Sequence, residues 1–307
     1  MVVGLRTSPS ADEARALLAS LSHVRFYQTF EIVPGVSTPG GVDSAGMLDV
    51  VQIPADLTGK TVLDIGCFNG AVGFLCERRG ASRVVCLDVE PDPRTNGVAQ
   101  IKEFLGSRLE YVHGNLYDLT LMGLGKFDYV TCFGVLYHLR HLLLGIDMLY
   151  AATREACFVE TRFSDSWLPA GMQASNVWLF DYPHVANPAD DSNWVSPTLA
   201  SYQNVFESCG FTATLCRTWP PEKPYRCAFK CIPKPIPEWI RQGSYEGQYP
   251  AKRFMDVGKR ADYFPEETSP ARNEPRRLML AARQSLRQRG LRETSLRAFR
   301  LLRRKLF

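Results

Sequence analysis

Short apolar runs alternate with segments of helical spacing through the middle of the chain. The runs have the length of strands and lie at 61–65, 83–88, 109–113, 127–132 and 156–161. Segments with helical spacing lie at about 70–80, 94–105 and 139–152. The alternation predicts βαβ units, and therefore a doubly wound, mostly parallel sheet of an α/β protein with helices on both faces.

The pattern changes at both ends of this region and once inside it. Residues 11–30 have early acids and leucines at helical spacing, so they are predicted as one helix, followed by a Gly/Pro-rich loop at 34–41. Residues 162–197 form a long aromatic, turn-rich insertion, after which a helix at 198–209 and strands at 212–218 and 226–232 resume the alternation. We expect an N-terminal helical lid (1–42), a central domain (43–235) with the insertion, and a C-terminal extension (236–307).

Composition places the chain among cytoplasmic globular proteins. Its 307 residues are 45% hydrophobic and 22% charged, and no run approaches the roughly 20 apolar residues of a membrane span. The N-terminus lacks a basic segment followed by a long apolar one, so no secretory signal is expected. Nine cysteines without a CxxC pair predict free thiols in a reducing compartment, with neither a disulfide framework nor a zinc site.

Charge is distributed unevenly along the chain. Residues 271–307 contain twelve Lys/Arg and two Glu, a net charge of +10, which leaves −6 for the rest because the whole chain carries +4. We expect this tail to be an Arg-rich helix, since Leu296, Phe299, Leu302 and Leu306 recur at helical spacing. Three interpretations stay open for it: contact with RNA, peripheral contact with an anionic membrane, and docking on the acidic body or on a second copy in a homo-oligomer.

The stretch "TVLDIGCFNG" (61–70) indicates a ligand site. A buried strand ends in Asp64 and is followed by Gly66 and Gly70, which permit unusual backbone angles and close approach to a ligand. A helix begins near Gly70, so its free N–H groups are expected to face the same place. Asp88 ends the next strand, 22 residues after Gly66, where an acid can bind ribose hydroxyls. The site is predicted to hold a nucleoside.

The ligand is not expected to be a dinucleotide. Phe68 stands where a dinucleotide fingerprint has its middle glycine, and Asp64 would repel a pyrophosphate. A carboxylate there suits an ammonium or sulfonium group. The alternative is that Asp64 caps a turn and that the glycines are ordinary turn residues.

These motifs resemble the first two motifs of class I S-adenosylmethionine-dependent methyltransferases. The resemblance implies a Rossmann-like seven-stranded sheet that binds S-adenosylmethionine and releases S-adenosylhomocysteine. It also implies adenine contacts from "HGNLYDL" (113–119), and a fourth strand, "FDYVTCFGVLYHL" (127–139), that ends beside the methyl group. The implied cofactor-binding residues are Asp64, Gly66, Cys67, Phe68, Gly70, Asp88, Val89, Asn115, Leu116, Phe133 and Tyr137.

Three stretches are more specifically similar to the tRNA wobble-uridine branch of this superfamily, whose members make 5-carboxymethoxyuridine or 5-methoxyuridine. They are 57–70, 127–149 with its "GVLYH" piece, and 193–211, and the similarity covers about residues 43–232. The carboxymethyl-transferring members carry tryptophans and lysines before the first strand, whereas residues 38–60 contain no tryptophan and one lysine, Lys60. We therefore expect ordinary methyl transfer.

Histidine and acid side chains near the fourth strand are candidates for proton transfer. His138 is the first candidate for a general base, because histidine side chains are largely neutral at pH 7; the alternative is that its hydrogen bonds shape the loop. His141 completes an HxxH pair, but without a third ligand no metal is expected. Asp181 and His184, in the insertion, are further candidates for proton transfer or for binding the acceptor.

Aromatic residues are the candidates for binding the acceptor. Trp167, Trp178 and Trp194 could form a stacking wall for a ring, sugar or base, or a satellite hydrophobic cluster under a long loop. Tyr27, in "FYQTFEIVPG" (26–35), would close over the site as part of the lid.

The sequence thus predicts methyl transfer to an oxygen or nitrogen of a small molecule or sugar in a biosynthetic pathway. A tRNA wobble-uridine methyltransferase is the first alternative, and a non-catalytic nucleoside-binding regulator is the second.

Overall fold

A seven-stranded sheet forms the centre of the molecule. The computed structural model describes residues 9–180 and 192–235. Its strands are β5 Thr61–Ile65, β6 Arg83–Asp88, β7 Glu110–His113, β8 Phe127–Phe133, β9 Thr153–Arg162, β12 Phe211–Trp219 and β13 Arg226–Pro233. Five parallel strands, in the order β9-β8-β5-β6-β7, are extended beyond β9 by two antiparallel strands, β13 and then β12. The predicted doubly wound, mostly parallel α/β sheet is confirmed.

The strand order places a crevice at the carboxyl end of the central strand. β5 lies between β6 and β8, because the chain first builds β6 and β7 on one side and then β8 and β9 on the other. The loops that follow β5 and β8 therefore lead to different sides of the sheet. In open α/β sheets, such a point is where ligands bind.

Four helices connect the strands of the sheet. They are α3 Ala71–Arg78, α4 Val98–Leu105, α5 Leu142–Ala152 and α6 Leu199–Ser208. Their apolar faces lie on the sheet: Phe74 in α3, Ile146 in α5 and Phe206 in α6 are buried. The sheet interior includes nearly continuous buried runs in β6 and β9, as expected for strands covered on both faces.

The N-terminal region is only partly helical. Helix α1, Ala11–Ser20, begins with a capping box between Ser10 and Glu13. The prediction of a helix to residue 30 was wrong beyond Ser20, because tertiary hydrogen bonds draw 27–29 into an extended conformation. Short strands follow instead, with β1 (Gln28–Thr29) beside β4 (Val42–Asp43) and β2 (Glu31–Val33) beside β3 (Val36–Ser37). Helix α2, Ser44–Val50, was not predicted.

The insertion contains more regular structure than its composition suggested. Two 3-10 helices, Asp165–Trp167 and Ala170–Met172, precede the antiparallel pair β10 (Trp178–Phe180) and β11 (Val195–Pro197). The predicted Arg-rich helix lies outside the described residues. No helix in the described ranges has the length and apolar character needed to cross a membrane. All nine cysteines are free, as predicted, and eight of them are buried.

Gly73 allows α3 to pack closely on the sheet, so enlarging it should destabilise the fold. A Cβ atom at this position would lie 2.5 Å from Cys86 Sγ and 2.8 Å from a Leu109 methyl group. We expect Gly73→Ala to lower the free energy of unfolding by about 1–2 kcal/mol, because overpacking outweighs the gain in helix propensity. Denaturant unfolding measures this.

Gly41→Ala is the matched control, because a Cβ atom there meets nothing within 4 Å. It should leave stability unchanged within about 0.5 kcal/mol. Equal stabilities of Gly73→Ala and the unaltered chain would contradict the packing argument.

Candidate active site

The loop after β5 is held in an unusual backbone conformation. Gly66 has φ 68°, and a side chain there would overlap Val135. Phe68 has φ 47°, a left-handed conformation that non-glycine residues rarely adopt. Its ring is exposed and meets the ring of Tyr27 edge-on, with the centroids 6.1 Å apart. Strain of this kind persists where the surroundings hold it and is frequent at ligand sites.

Asp88 holds this loop from the end of β6. Its Oδ2 accepts a hydrogen bond from the Phe68 amide at 2.8 Å, and its Oδ1 accepts one from the Glu90 amide at 3.0 Å. A carboxylate has about four acceptor positions, so further hydrogen bonds can be accepted from ligand hydroxyls. The adjacent Val89 is 66% exposed and offers an apolar surface beside the carboxylate.

Asp64 and Cys67 lie beneath the loop. Asp64 is 2% exposed and its Oδ1 accepts a hydrogen bond from the Thr131 hydroxyl at 2.7 Å. Burial raises the pKa of Asp64 to about 7, with a further increase from the charge of Asp88, while the Thr131 hydroxyl and the Gly73 amide lower it. Cys67 has no exposed surface and its thiol contacts Cys86. Direct contact of either side chain with a ligand stays a prediction.

The amides at the start of α3 are hydrogen-bonded to groups of the protein itself. Gln28 Oε1 accepts a hydrogen bond from the Ala71 amide at 3.2 Å, and the Gly70 amide donates to the Cys67 carbonyl at 2.8 Å. The expectation that free N–H groups of this helix face the ligand was therefore wrong for these two amides. The N-terminal region supplies the acceptor that caps the helix.

Asn69 joins three segments around the loop. Its Oδ1 accepts hydrogen bonds from the Tyr27 and Gln28 amides, at 2.8 and 3.4 Å. Its Nδ2 donates to the carbonyls of Asn96, at 2.8 Å, and Arg25, at 3.2 Å. The side chain is fully buried, and these four bonds use its two donors and two acceptor positions. Asn69 thus positions Tyr27 beside Phe68.

The ends of β7 and β8 bring the next predicted residues to the same edge. Asn115 is exposed and caps a 3-10 helix, Leu116–Leu121, by accepting a hydrogen bond from the Tyr117 amide. Leu116 is buried. Phe133 ends β8 and is half-buried. The structure therefore brings the predicted cofactor residues to the carboxyl ends of β5, β6, β7 and β8.

A buried ion pair lies beside Tyr137. Arg226, on β13, makes two hydrogen bonds of 2.5 Å to the Glu160 carboxylate at the end of β9, and a third of 3.2 Å to the Tyr137 hydroxyl. Burial lowers the pKa of Arg226, but the Glu160 carboxylate raises it more, so the guanidinium stays charged. Burial also raises the pKa of Tyr137, so its hydroxyl stays protonated and does not act as a base.

Sequence reasoning missed Glu160, Arg226, Gln28 and Asn69. Glu160 had the same signal as Asp64 and Asp88, an acid at the end of a buried apolar run. Arg226 had no comparable signal, since its role depends on β13 pairing antiparallel with β9.

His138 is fixed in one orientation. It lies in a short 3-10 helix, Leu136–His138, and its Nδ1 is 2.9 Å from the Ser192 carbonyl oxygen. Because a carbonyl only accepts, Nδ1 carries the proton and Nε2 is the basic nitrogen of the neutral ring. The imidazole packs on Tyr137, with ring centroids 4.2 Å apart.

Two of the three predicted tryptophans lie near Tyr137. The Trp194 amide donates a hydrogen bond to the Tyr137 carbonyl at 2.8 Å. Trp167 is linked to Tyr137 through Arg162, because the Arg162 guanidinium lies over both rings. Trp178 lies in β10 opposite Pro197. Asp181 and His184 are outside the described residues.

A cleft of about 230 Å³ opens beside the strand ends. It is bounded by the N-terminal region, by the ends of β8 and β9, and by the hairpin of β12 and β13. The lining residues are Tyr27, Gln28, Val42, Ser44, Met47, Val72, Phe133, Gly134, Glu160, Trp219, Tyr225 and Arg226. Tyr27 thus borders this cleft, and closure of the N-terminal region over the site as a lid stays a prediction. A larger groove, about 430 Å³, runs along α4 away from these groups.

The residues at this edge fit S-adenosylmethionine. The Asp88 carboxylate, with exposed Val89 and Phe68 beside it, is suited to a ribose and an adenine. The adjoining cleft has aromatic walls and a carboxylate, and it can hold the amino acid portion. Among the described residues, no group of three His, Cys, Asp or Glu side chains could hold a metal ion.

Comparison with known proteins agrees with this geometry. Residues 62–154 match a family model described as a methyltransferase domain. Over 92 residues the chain is 34% identical to the ubiquinone biosynthesis O-methyltransferase of Aromatoleum aromaticum, covering 30% of this chain and 38% of that protein. Over 159 residues it is 30% identical to the tRNA U34 carboxymethyltransferase of Campylobacter hominis, covering 51% of this chain and 52% of that protein. The chain thus spans about half or less of these curated relatives.

A solved structure shares the fold. The N-terminal domain of EvdMO1, crystallised in the presence of SAH and D-fucose, superposes with a TM-score of 0.53 at 16% identity, covering 74% of this chain and 98% of that domain. Together these similarities confirm the resemblance to class I methyltransferases, including the tRNA wobble-uridine branch.

The buried carboxyl of Asp64 should make stability depend on pH. Its pKa is about 7 in the folded chain against 3.8 ordinarily, so the folded state retains a proton that the unfolded state releases. The protonated Asp64 carboxyl contributes fully to stability below about pH 4, and this contribution is lost as the pH rises from 4 to 7. Above pH 7, Asp64 adds no further pH dependence. We expect Asp64→Asn to flatten the fall in melting temperature between pH 5 and pH 7.

Differential scanning calorimetry of both proteins across this range provides the measurement. Only the pH dependence is compared, so a uniform loss of stability in Asp64→Asn does not affect the test. If the melting temperatures of the two proteins change equally with pH, Asp64 is ionised in the folded state and the prediction is wrong.

Proposed function

We propose that this chain is an S-adenosylmethionine-dependent methyltransferase that acts on an oxygen or nitrogen of a small molecule or sugar. The observation that carries the proposal is the arrangement at the end of β6. There the Asp88 carboxylate accepts a hydrogen bond from the Phe68 amide, and its remaining acceptor positions are available beside the exposed Val89. Asp88 would bind the ribose hydroxyls, and Val89, Phe68 and Leu116 would flank the adenine. The methyltransferase-domain match over residues 62–154 supports this assignment.

The cofactor, when bound, supplies a methyl group on a positively charged sulfur. The protein's part is mainly alignment of the acceptor with that group, which is worth up to about 7–11 kcal/mol. Tyr27, Phe133 and Tyr137 are the aromatic side chains that would surround the sulfur, and the Glu160–Arg226 pair would fix the Tyr137 ring.

His138 would accept the acceptor's proton at Nε2. The Ser192 carbonyl holds the proton on Nδ1, so the nitrogen that remains is the basic one. The resulting imidazolium would be stabilised by the same carbonyl and could release its proton to solvent, because the ring is only half-buried.

Ordinary methyl transfer, rather than carboxymethyl transfer, is supported by the position of Lys60. This lysine immediately precedes β5, and its Nζ is 2.7 Å from Glu155 near the start of β9. Both groups lie at the amino ends of the strands, opposite the ligand edge, so Lys60 is not available to bind an additional carboxylate there.

A tRNA wobble-uridine methyltransferase is the second candidate. The similarity to tRNA U34 carboxymethyltransferases favours it, since it extends over 159 residues. Binding of RNA by the basic tail would support this alternative. Binding of an anionic membrane by the tail would instead bear on where the protein is located. Both concern residues outside the described ranges.

Cofactor binding is tested with a surface substitution that should not disturb folding. Val89→Asp places a carboxylate where the adenine would lie, so we expect it to weaken binding of S-adenosylhomocysteine at least tenfold. Leu121→Asp is the matched control, because Leu121 is 42% exposed and ends the 3-10 helix, five residues beyond Leu116. Isothermal titration calorimetry measures both; equal affinities for Val89→Asp and the unaltered chain would contradict this site.

The base is tested by His138→Ala. We expect methyl transfer to fall by about 10²–10⁴ while affinity for S-adenosylhomocysteine stays within about twofold. His23→Ala, which changes an exposed histidine in the N-terminal region, should keep full activity. Incorporation of labelled methyl groups is followed in an extract of the source cells, with small molecules and precipitated RNA counted separately.

The separate counts distinguish the alternatives. Label confined to RNA would favour the tRNA enzyme over the proposal. Binding of the cofactor by the unaltered chain with no label in either fraction would favour the regulator.

A further inference from the structure

Exposed aromatic rings are concentrated around the candidate site. In the part of the chain that the structure describes, the exposed Phe, Tyr and Trp side chains are Tyr27 (43%), Phe68 (36%), Trp167 (40%) and Tyr225 (42%). Tyr27 and Tyr225 line the cleft, and Phe68 meets Tyr27 edge-on. Large apolar groups exposed together mark a surface that a ligand or a partner covers.

The hairpin between β12 and β13 forms one wall of this cleft. Trp219 ends β12, Tyr225 lies just before β13, and both line the cleft. The Tyr225 amide donates a hydrogen bond to the Trp219 carbonyl at 3.1 Å, and the Tyr225 carbonyl accepts one from the Phe163 amide at 2.9 Å. The backbone that carries the exposed Tyr225 ring is therefore held on both sides.

The hairpin wall lies beyond the reach of a cofactor whose ribose binds Asp88. Four intervals separate β6 from β13 in the sheet, and strands lie about 4.8 Å apart, so the two are about 19 Å apart. The bonds from the ribose to the carboxyl carbon of the cofactor's amino acid portion span at most about 8 Å, at about 1.5 Å each, and the ribose adds only a few ångströms. The wall therefore faces the acceptor.

The side chains of the cleft suit a small planar ring. Trp219 and Tyr225 lie on the hairpin, and Val42 and Met47 line the cleft from the N-terminal region. Aromatic rings favour offset or edge-on contacts with another ring, and a thioether adapts to a ring edge. The cleft volume is about 230 Å³, below the range of about 300–1,000 Å³ that is usual for drug-sized ligands. One small ring is therefore the group that fits beside the cofactor.

Tyr137 connects this cleft with the proposed base. Arg226, which lines the cleft, donates a hydrogen bond to the Tyr137 hydroxyl at 3.2 Å. His138 packs on the Tyr137 ring, with the ring centroids 4.2 Å apart. A ring held by the hairpin would therefore lie on the same side of the cofactor as the groups proposed for catalysis.

We propose that Trp219 and Tyr225 bind the acceptor, and that the acceptor is a small molecule whose reacting oxygen or nitrogen is carried by a single aromatic ring. This inference rests on the proposed function for the identity of the reaction. It adds the class of acceptor and the wall that holds it. The three tryptophans of the insertion, all of which the structure describes, do not line this cleft: Trp167, Trp178 and Trp194.

The test titrates the full chain, loaded with S-adenosylhomocysteine, with phenol and with cyclohexanol, and follows binding by ligand-observed NMR. The two probes carry a hydroxyl on a ring of the same size and differ in planarity and aromatic character. We expect phenol to bind at least about threefold more tightly than cyclohexanol, because only phenol makes ring–ring contacts.

Substitutions at Tyr225 test the wall itself. Tyr225→Leu should weaken phenol binding at least about threefold, whereas Tyr225→Phe, which keeps the ring, should stay within about twofold of the unaltered chain. Trp167→Leu is the matched comparison, because Trp167 is exposed to a similar extent but does not line the cleft. The melting temperature and the affinity for S-adenosylhomocysteine should be the same in all variants.

Uridine and a short single-stranded RNA test the other source of a planar ring, a nucleic acid base. A preference for phenol over cyclohexanol that is lost in Tyr225→Leu, with RNA binding unchanged in that variant, supports a small acceptor. RNA or uridine binding that falls in Tyr225→Leu, without a preference for phenol over cyclohexanol, assigns the wall to a nucleic acid and overturns the inference.

The inference is also overturned if phenol does not bind the loaded chain, if phenol and cyclohexanol bind equally, or if Tyr225→Leu binds phenol as tightly as the unaltered chain. Loss of phenol binding in Trp167→Leu alone would place the acceptor in the insertion instead. Failure of S-adenosylhomocysteine to bind would contradict the proposed function, so the two failures are distinguishable.

Discussion

A hydrogen bond between neighbouring strand ends organises the candidate site. The Asp88 carboxylate, at the end of β6, accepts a hydrogen bond from the Phe68 amide in the loop after β5. This contact supports a left-handed backbone at a residue that is not glycine, and it turns the Phe68 ring toward Tyr27. The same carboxylate keeps positions for ligand hydroxyls, so the shape of the loop and the proposed binding of the ribose depend on one group.

The charged groups beneath the site are buried. Asp64 lies under the loop with a raised pKa, and Glu160, which lines the cleft, is paired with Arg226. On the side of His138, Arg140 lies over the Trp194 ring and Arg162 over the Trp167 ring.

The sequence predicted the parts of the molecule that rest on local periodicity. The five parallel strands and the positions of Asp88, Gly66 and Tyr137 followed from apolar runs, from glycines and from the family resemblance. The N-terminal region did not, since Gln28 and Tyr27 are held in an extended segment by Asn69, a contact across about forty residues. Arg226 was missed for the same reason: its partner, Glu160, is 66 residues away and only the antiparallel pairing of β13 brings them together.

A crystal structure of the full chain with S-adenosylhomocysteine tests the central claim most directly. The account predicts the ribose hydroxyls within hydrogen-bond distance of Asp88, the adenine against Val89, and the sulfur at the mouth of the cleft near Tyr27 and Tyr137. A ligand bound elsewhere, or bound with its ribose away from Asp88, would contradict it.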